Sequence, residues 1–297
     1  MMKETARSKE LSLLGSNKVI FFGYGRHDAA RNMAIDDALF LNSIETGQFF
    51  LRFYDFDRPS IILARFDHPD SINRENLSDV GVSRRKSGGD PIYLDDISTF
   101  SYSISGRFSS SDSFGFDFKG FVHNNLGPIV ADAIKGIVMN DNIVELGKHN
   151  SIRLNDGPVA AHAQNTHGWD IEKDEKHYAF LYQGVVAIGK WDPDKIRSVL
   201  RICDEDYEAL GHLPNISQVA KAKKVDLNEY KIEFMNAMLN RILNTNEILN
   251  MSDRQHDEIA QVSDHLFDSE YSNPGWVFDN NPNLKIRSKF CLCNYDF

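Results

Sequence analysis

The chain has 297 residues, of which 41% are hydrophobic, 43 are acidic and 33 are basic, and its formal net charge is -10. This balance predicts a soluble globular protein with a sizeable buried core, and the negative charge disfavours free nucleic acid or an anionic membrane as a partner. Because the first sixteen residues lack the apolar core of a signal peptide and no later stretch is long enough to span a membrane, we expect a cytoplasmic protein.

The apolar spacing changes from helical to strand-like early in the chain. Residues 29–44 have the spacing of an amphipathic helix, which carries the adjacent acids Asp36 and Asp37. Short segments rich in aromatic and β-branched residues follow at 49–54, 60–66, 80–85, 91–94 and 99–105. Asp, Pro, Gly or Asn separate these segments, which predicts the strands of one sheet.

The rest of the chain alternates again and then becomes mainly helical. A helix is predicted over 121–137, and further strands are predicted at 142–146, 151–154, 159–163 and 178–188. Asp192 followed by Pro193 marks a helix start, and later helices are expected at 226–243 and 253–266, before a last strand at 284–292. The biased stretch 109–119 predicts a mobile loop. These elements indicate an α+β fold, with a mixed or antiparallel β-sheet packed with helices.

The cysteines and histidines give no strong sign of a metal site. Cys203, Cys291 and Cys293 are too few for a disulfide framework, and we expect free thiols. No further zinc ligands lie near the last two, and surface histidines explain His162 and His167 better than a metal pair does. We therefore predict no metal bound by side chains of these types.

The central segment VSRRKSGGDPIYLDD, residues 82–96, places a Ser-Gly-Gly turn after two arginines. It resembles the signature of lipoate-protein ligases, which runs Arg-Arg-x-Ser-Gly-Gly-Gly and ends in His-Asp. Its neighbours resemble the family in the same order, with 32–39 similar to its first helix and 50–54 and 59–66 similar to its leading strands. Later matches are Ala160-Ala-His-Ala-Gln, Gln183-Gly184, and Tyr271 with Trp276.

This resemblance implies a catalytic domain of the biotin/lipoate protein ligase superfamily, with a class II synthetase-like fold. It implies an N-terminal tail over residues 1–16, the domain over 17–297, and no separate accessory domain. The implied ligands are lipoate or octanoate, with ATP and Mg2+ if the protein is an active ligase. The implied partner is a lipoyl carrier domain of a 2-oxoacid dehydrogenase or glycine cleavage protein, and a separate accessory domain protein or an active homologue is a further expected partner.

The Ser87-Gly88-Gly89 turn is the main candidate for ligand binding. Glycines remove the Cβ and permit positive φ, so backbone N–H groups there can approach a carboxylate, phosphate or acyl-adenylate. A plain hairpin turn is the alternative, and the shared register with the family favours the ligand role. Strand alternation predicts that one of Arg84 and Arg85 meets a ligand phosphate while the other packs elsewhere. The resemblance adds Arg65, Asp90, Tyr93, Asn150, Ala161, Gln164, Gln183 and Gly184 as ligand-binding candidates.

Several positions depart from the family pattern. Pro158 stands where the family has a catalytic lysine, and loss of such a charge-stabilising donor costs about 3 to 4 kcal/mol in the transition state. Lys148 is the most obvious substitute cation, and His149 and His162 also lie near these positions. Asp90 replaces a glycine, Leu94 and Gln183 each replace a histidine, and Ser151 replaces an aspartate that would help to hold magnesium. For Asp36 and Asp37 we expect one solvated carboxylate and one that caps a loop.

The sequence leaves three hypotheses. The first is an enzyme that attaches a lipoyl or octanoyl group to a carrier lysine through an acyl-adenylate. The second is a non-catalytic homologue that binds an acyl or acyl-adenylate ligand or partners an active ligase, which Pro158, Asp90 and Ser151 favour. The third is reuse of the fold for another ligand. A cysteine-nucleophile transferase is disfavoured because no cysteine lies between Gly81 and Gln164.

Overall fold

A computed structural model describes residues 18–110, 118–147, 151–172, 175–224, 226–243 and 247–278. Its large sheet contains the strands β1 (Val19–His27), β2 (Phe49–Phe56), β6 (Thr99–Ser110), β7 (Val144–Leu146), β8 (Ile152–Leu154), β9 (Gly157–Glu172), β10 (Glu175–Ala187) and β11 (Ile248–Asn250). Within the described residues the strand order is β11-β1-β2-β6-β10-β9-β8-β7. Strand β1 pairs in parallel with β2 and β11, whereas the remaining ladders are antiparallel. The predicted mixed sheet is therefore confirmed.

A second, smaller sheet holds the segment with the arginines and glycines. It consists of β3 (Ser60–Leu63), β4 (Gly81–Arg84) and β5 (Ile92–Leu94), in the order β4-β3-β5. The central strand is parallel to β4 and antiparallel to β5. The prediction of a single sheet for the early strands is therefore wrong, because β2 and β6 pair within the large sheet while the strands between them pair with one another.

Helices cover both faces of the large sheet. They are α1 (Ala29–Thr46), α2 (Phe118–Phe121), α3 (Gly127–Ile137), α4 (Pro193–Val199), α5 (Asp204–Leu210), α6 (Ile216–Val219), α7 (Leu227–Leu243), α8 (Asp253–Leu266) and α9 (Pro274–Phe278). Helix α1 packs against α8, and α3 packs against α7. Strand β2 is buried along its whole length, because apolar clusters that contain α1 and α8 residues lie on one side of the sheet and clusters that contain α3 and α7 residues lie on the other.

Local sequence signals fix the helix ends. The Asp28 side chain accepts a hydrogen bond from the Arg31 amide at 2.7 Å, and Gly47 ends α1 with a φ of 74°. Asp192 caps α4 with a proline at its first turn, as predicted, and Ser252 begins α8 with a reciprocal bond to Gln255. Caps of this kind satisfy N–H and C=O groups that a helix leaves unpaired. The predicted helices over 226–243 and 253–266 are confirmed.

Other predicted boundaries changed. Strand β9 extends to Glu172, well beyond the predicted 159–163, and β1 and β11 were not predicted. The predicted helix over 121–137 is interrupted by a π-helical turn, Val122–Leu126. The expected last strand at 284–292, Cys291, Cys293 and the centre of the predicted loop at 109–119 lie outside the described residues. Among the described helices, none combines the length and apolar character that crossing a membrane requires.

Candidate functional site

The loop between β4 and β5, residues 86–91, presents two glycines in different ways. Gly89 is exposed and has a φ of 100°, where a Cβ would lie 2.9 Å from the Arg85 Nη2 atom. This backbone conformation favours glycine. A Cβ on Gly88 would meet no heavy atom within 4 Å in the described structure. Gly88 is therefore dispensable for packing and leaves open space above its backbone.

Arg84 and Arg85, at the junction of β4 and this loop, hold several stretches of main chain in place. Both residues are buried, and their guanidinium groups contact different backbone segments. The expectation that one of them meets a ligand phosphate stays a prediction. Arg84 donates to the carbonyl oxygens of Ala64, Asp67, Trp276 and Val277 at 2.7–3.2 Å. Arg85 donates to those of Ile62, Gly88 and Asp90 at 2.8–3.1 Å. The two arginines thus act as clamps on the backbone, and Arg85 sets the shape of the glycine loop directly.

Arg65 supplies an exposed cation next to the same loop. Its amide donates to the Ser87 carbonyl oxygen at 3.0 Å, which joins the turn after β3 to the glycine loop. The Arg65 guanidinium carbon lies 5.3 Å from the ring centroid of Phe66, which is 57% exposed. The turn that this bond joins to the loop therefore carries an exposed guanidinium group and an exposed aromatic ring.

A buried polar network lies beneath the loop, centred on Asp36 of α1. The Asp36 carboxylate is fully buried and forms an ion pair with Arg52 at 2.9 Å. It also accepts hydrogen bonds from the hydroxyls of Tyr54 and Ser103 and from the side-chain amide of Gln183, at 2.8–2.9 Å. The network stabilises an otherwise costly buried charge through one ion pair and three further donors.

Asp37 belongs to a separate cluster. Its carboxylate lies 2.8 Å from Lys86 Nζ and accepts from the Tyr271 hydroxyl at 2.7 Å, and Lys86 also contacts Glu270 at 2.8 Å. Burial raises the pKa of Asp37, an effect that Lys86 and Tyr271 oppose. The expectation of one solvated acid is wrong, since Asp36 and Asp37 are both buried. They point in different directions and bind different partners.

The structure brings Gln183 and β9 to the loop. Gln183 Oε1 accepts from the Ser87 hydroxyl at 2.8 Å, and its ladder partner on β9 is Ala163. By strand alternation Ala161, which is exposed, shares this face of the sheet. Exposed and half-buried small residues therefore continue the loop surface across β9.

Gln164 and Gly184 belong to the other face of the large sheet, which packs against α3 and α7. The ladder partner of Gln164 is Tyr182, whose ring belongs to the cluster with α3 and α7. A Cβ on Gly184 would lie 2.3 Å from the Tyr102 ring, so this glycine lets Tyr102 approach the strand and contact His162. The Oε1 atom of Gln164 is buried without a hydrogen-bond partner within the described part of the chain. The loop and these two residues are thus not brought together.

The remaining predicted site residues lie in several places. Tyr93 is buried in a cluster with Ile61 and α4, on the side of the small sheet away from Leu94. Asp90 flanks the loop, and Pro158 is half-buried on β9, opposite Arg153 of β8. Lys148, His149 and Asn150 lie outside the described residues, and Ser151 immediately precedes β8. Within the described ranges no three His, Cys, Asp or Glu side chains are grouped as metal ligands.

Sequence reasoning missed the Asp36 network. Two signals were available. Arg52 lies in an eight-residue strand whose other residues, except Asp55, are apolar or aromatic, and Asp36 lies within the apolar stripe of a helix. Charged residues are rarely buried unless they are paired. That pattern indicates a buried ion pair, although it does not identify Gln183 or Ser103 as further partners.

Comparison with known proteins agrees with this geometry. Residues 28–172, which include the glycine loop, Pro158 and Gln164, match the family described as lipoyl protein ligase A/B catalytic domain. No curated protein matches the sequence. A bipartite lipoate protein ligase from the archaeon Thermoplasma acidophilum superposes with a TM-score of 0.67 at 16% identity, over 88% of this chain and 96% of that one.

Further solved structures share the fold. A lipoate-protein ligase A bound with ATP has a TM-score of 0.65 at 16% identity, over 88% of this chain and 97% of that chain. A putative lipoate protein ligase from T. acidophilum with bound lipoic acid has a TM-score of 0.62 at 16% identity, over 89% of this chain and 99% of that chain. The sheet and the glycine loop therefore define a protein with the lipoate-protein ligase fold. The family match covers residues 28–172, just under half of the chain, and the solved structures extend the similarity in fold to 88% of it.

Proposed function

We propose that the protein binds lipoate or octanoate as an acyl-adenylate at the Ser87-Gly88-Gly89 loop and transfers the acyl group to a lysine of a lipoyl carrier domain. The observation that carries this proposal is the open backbone at Gly88, within the segment that matches the family. Main-chain N–H groups on a glycine loop can bind an anionic phosphate, and an exposed cation, Arg65, lies beside them.

The described residues fit the two expected cofactors unequally. The loop and Arg65 suit the phosphate of ATP or of an adenylate, and similar proteins bind ATP or lipoic acid. For Mg2+ the described side chains form no ligand cluster, and Asn150 lies outside them. We therefore assign no residue to magnesium and derive no step through it.

The transfer step uses the loop as an electrostatic support. The neutral amine of the carrier lysine attacks the acyl carbonyl carbon, and the amide bond forms as the bond to the phosphate breaks. The departing phosphate oxygen takes the electron pair, and the amine proton passes to solvent. Loop N–H groups and Arg65 would stabilise the negative charge that develops on the phosphate, which is the kind of contribution that preorganised donors make to acyl transfer.

A non-catalytic binding role is the second candidate, and Pro158 favours it. Proline offers neither a cation nor an N–H group at the position of the family lysine. A protein with the loop intact and this lysine replaced would bind an acyl-adenylate but form it slowly. Binding and transfer must therefore be measured separately.

The first experiment follows the mass of a purified lipoyl carrier domain incubated with the protein, lipoate, ATP and magnesium. In parallel, lipoate, octanoate, ATP and a stable lipoyl-adenylate analogue are titrated separately by calorimetry. Binding together with a mass gain on the carrier lysine supports the enzyme. Binding without a mass gain supports the non-catalytic homologue, and no binding of any of these ligands contradicts both.

Gly88→Val tests the location of the ligand. The new side chain has open space, so the protein should keep its stability, while affinity for the lipoyl-adenylate analogue should fall at least tenfold if a ligand occupies that space. Gly136→Val is the matched control, since a Cβ on this exposed glycine of α3 likewise meets no heavy atom within 4 Å in the described structure. Equal affinity in both variants would contradict the assignment of the loop.

A further inference from the structure

Gln183 bridges the buried Asp36 carboxylate and the glycine loop. Its Nε2 atom lies 2.8 Å from Asp36 Oδ2, and its Oε1 atom lies 2.8 Å from the Ser87 hydroxyl. Gln183 and Ser87 are 7% and 1% exposed, so water does not compete strongly for these bonds. The loop is thus connected by two consecutive hydrogen bonds to a charged group in the core.

The polarity of this connection follows from donor and acceptor chemistry. The Asp36 carboxylate in its ion pair with Arg52 accepts hydrogen bonds and donates none. The Gln183 side chain must therefore direct its NH2 group toward Asp36, which fixes the side-chain orientation that is otherwise ambiguous for an amide. Its carbonyl oxygen then faces Ser87 and can accept only. The Ser87 hydroxyl must donate to it.

This polarity decides what Ser87 can do. A hydroxyl has one hydrogen to donate, and here that hydrogen is directed inward, away from any ligand phosphate. The Ser87 carbonyl oxygen also accepts from the Arg65 amide at 3.0 Å, so both polar ends of the residue hold the loop in place. Main-chain N–H groups at the glycines remain as donors for an anion.

We propose that Gln183 is a positioning residue that anchors the glycine loop through Ser87, and that Ser87 serves as the anchor point and not as a hydrogen-bond donor to the ligand. The inference rests on the proposed function for its ligand, while the anchoring itself is independent of any ligand. Gln183 occupies the position at which the family resemblance expects a histidine, and neutral histidine likewise carries one donor and one acceptor.

The test is a double-mutant cycle read at the Arg65 amide by NMR hydrogen exchange without ligand. Ser87→Ala, Gln183→Met and the double variant each remove the Ser87–Gln183 hydrogen bond that holds the loop, and Gln183→Met also removes a donor to Asp36. Each should therefore speed Arg65 exchange by the same factor, about tenfold for one hydrogen bond. Exchange within the β3–β4 ladder should not change. The inference would be overturned if the exchange rate in the double variant rose by the product of the two single-variant factors. Unchanged Arg65 exchange in Ser87→Ala would overturn it as well.

Two further variants separate anchoring from general loosening of the core. Gln183→His should restore near-normal Arg65 exchange, because a neutral imidazole can donate to Asp36 and accept from Ser87. Ser105→Ala is the matched control, since Ser105 is buried on β6 two residues from Ser103 and its hydroxyl has no partner in the described structure. Failure of the histidine variant to restore protection, or loss of protection in Ser105→Ala, counts against a specific anchor.

Titration of the same variants with the lipoyl-adenylate analogue tests the role of Ser87. Ser87→Ala and Gln183→Met should weaken binding by similar factors, because both loosen the loop. A much larger loss in Ser87→Ala than in Gln183→Met would show a direct donor and overturn that part of the inference. If the wild-type protein binds no analogue, the proposed function fails, while the exchange measurement still decides the anchor.

Discussion

Asp67 is the residue whose ionisation links pH to the turn beside the glycine loop. Its side chain is 5% exposed and accepts from the Ala64 amide at 2.6 Å, while Arg84 donates to its carbonyl oxygen. Burial raises the pKa of Asp67 to about 6, against the opposing effects of the Ala64 amide and Arg85. The folded protein therefore binds a proton there more tightly than the unfolded chain, whose aspartate pKa is about 3.9.

The sign of the resulting pH dependence follows directly. The stabilising effect of the protonated form is fully present below about pH 4 and is lost as pH rises through about 6. Asp67→Asn keeps an acceptor oxygen and removes the titration. Its stability relative to wild type should therefore increase by up to about 3 kcal/mol between pH 4 and pH 7.

Urea denaturation of Asp67→Asn and wild type at several pH values measures this difference. Asp79→Asn is a suitable control, because it makes the same change of side chain at an exposed position. A constant stability difference between Asp67→Asn and wild type would show that Asp67 titrates normally in the folded state.

Among single residues, the partners of the buried charges could not be predicted from the sequence. The resemblance placed Ser87 and Gln183 in one site, and the structure brings them within hydrogen-bonding distance. Asp36 was instead expected to be solvated or to cap a loop. Its partners come from β2, β6 and β10, so no local pattern contains them together. Long-range pairing of this kind is decided by the tertiary packing.

At the scale of elements, the segment from residue 267 to 278 fastens the strand that precedes the glycine loop. Tyr271 donates to Asp37, and Trp276 donates through Nε1 to the Arg84 carbonyl oxygen at 3.0 Å. Arg84 in turn donates to carbonyl oxygens of this segment. Helix α1, β4 and the segment 267–278 are therefore connected through buried and part-buried hydrogen bonds, and loosening one should weaken the others.

Tyr271→Phe tests this connection. The variant removes a 2.7 Å hydrogen bond to the buried Asp37 carboxylate, which should lower the free energy of unfolding by about 1 to 3 kcal/mol. Tyr207→Phe is the matched control, since Tyr207 also donates to an aspartate at 2.7 Å but at the surface. Its effect should be small, because exposed hydrogen bonds exchange readily with water. Equal losses in urea denaturation would contradict the importance of the buried contact.

The elements themselves were largely predictable, while their partners were not. The local sequence signals predicted four helices and the main strands close to their observed bounds. The helices are α1, α4, α7 and α8, and the signals were helical spacing, the Asp192 cap and strand-like segments. The division into two sheets was missed because a period of two residues identifies a strand but not the strand it pairs with. Strand β1 contains Gly23 at a register shift with a φ of 111°, and such interruptions weaken a strand pattern.

At the scale of the whole molecule, the two sheets connect distant parts of the matched segment. The glycine loop follows β4 of the small sheet, whereas Pro158 lies near the start of β9 in the large sheet. Strand β10 connects them, since its Gln183 bonds Ser87 and its neighbour in the sheet is β9. The register of Pro158 with the family lysine predicts that it borders the same site as the loop, and a substitution there tests this prediction.

Restoring the family lysine with Pro158→Lys tests whether that site retains adenylation chemistry. The register of β8 and β9 shifts beside Pro158, which is half-buried, so a longer side chain can be accommodated there. The rate of acyl-adenylate formation, measured as ATP–pyrophosphate exchange in the presence of lipoate, should rise about 100- to 1000-fold. This is the amount that one charge-stabilising donor contributes. Pro158→Met is the control for side-chain length without charge. A similar rate in the two variants would show that other departures from the family pattern limit adenylation. Asp90→Gly combined with Pro158→Lys would then be the next variant, because a carboxylate in the loop repels the same phosphate.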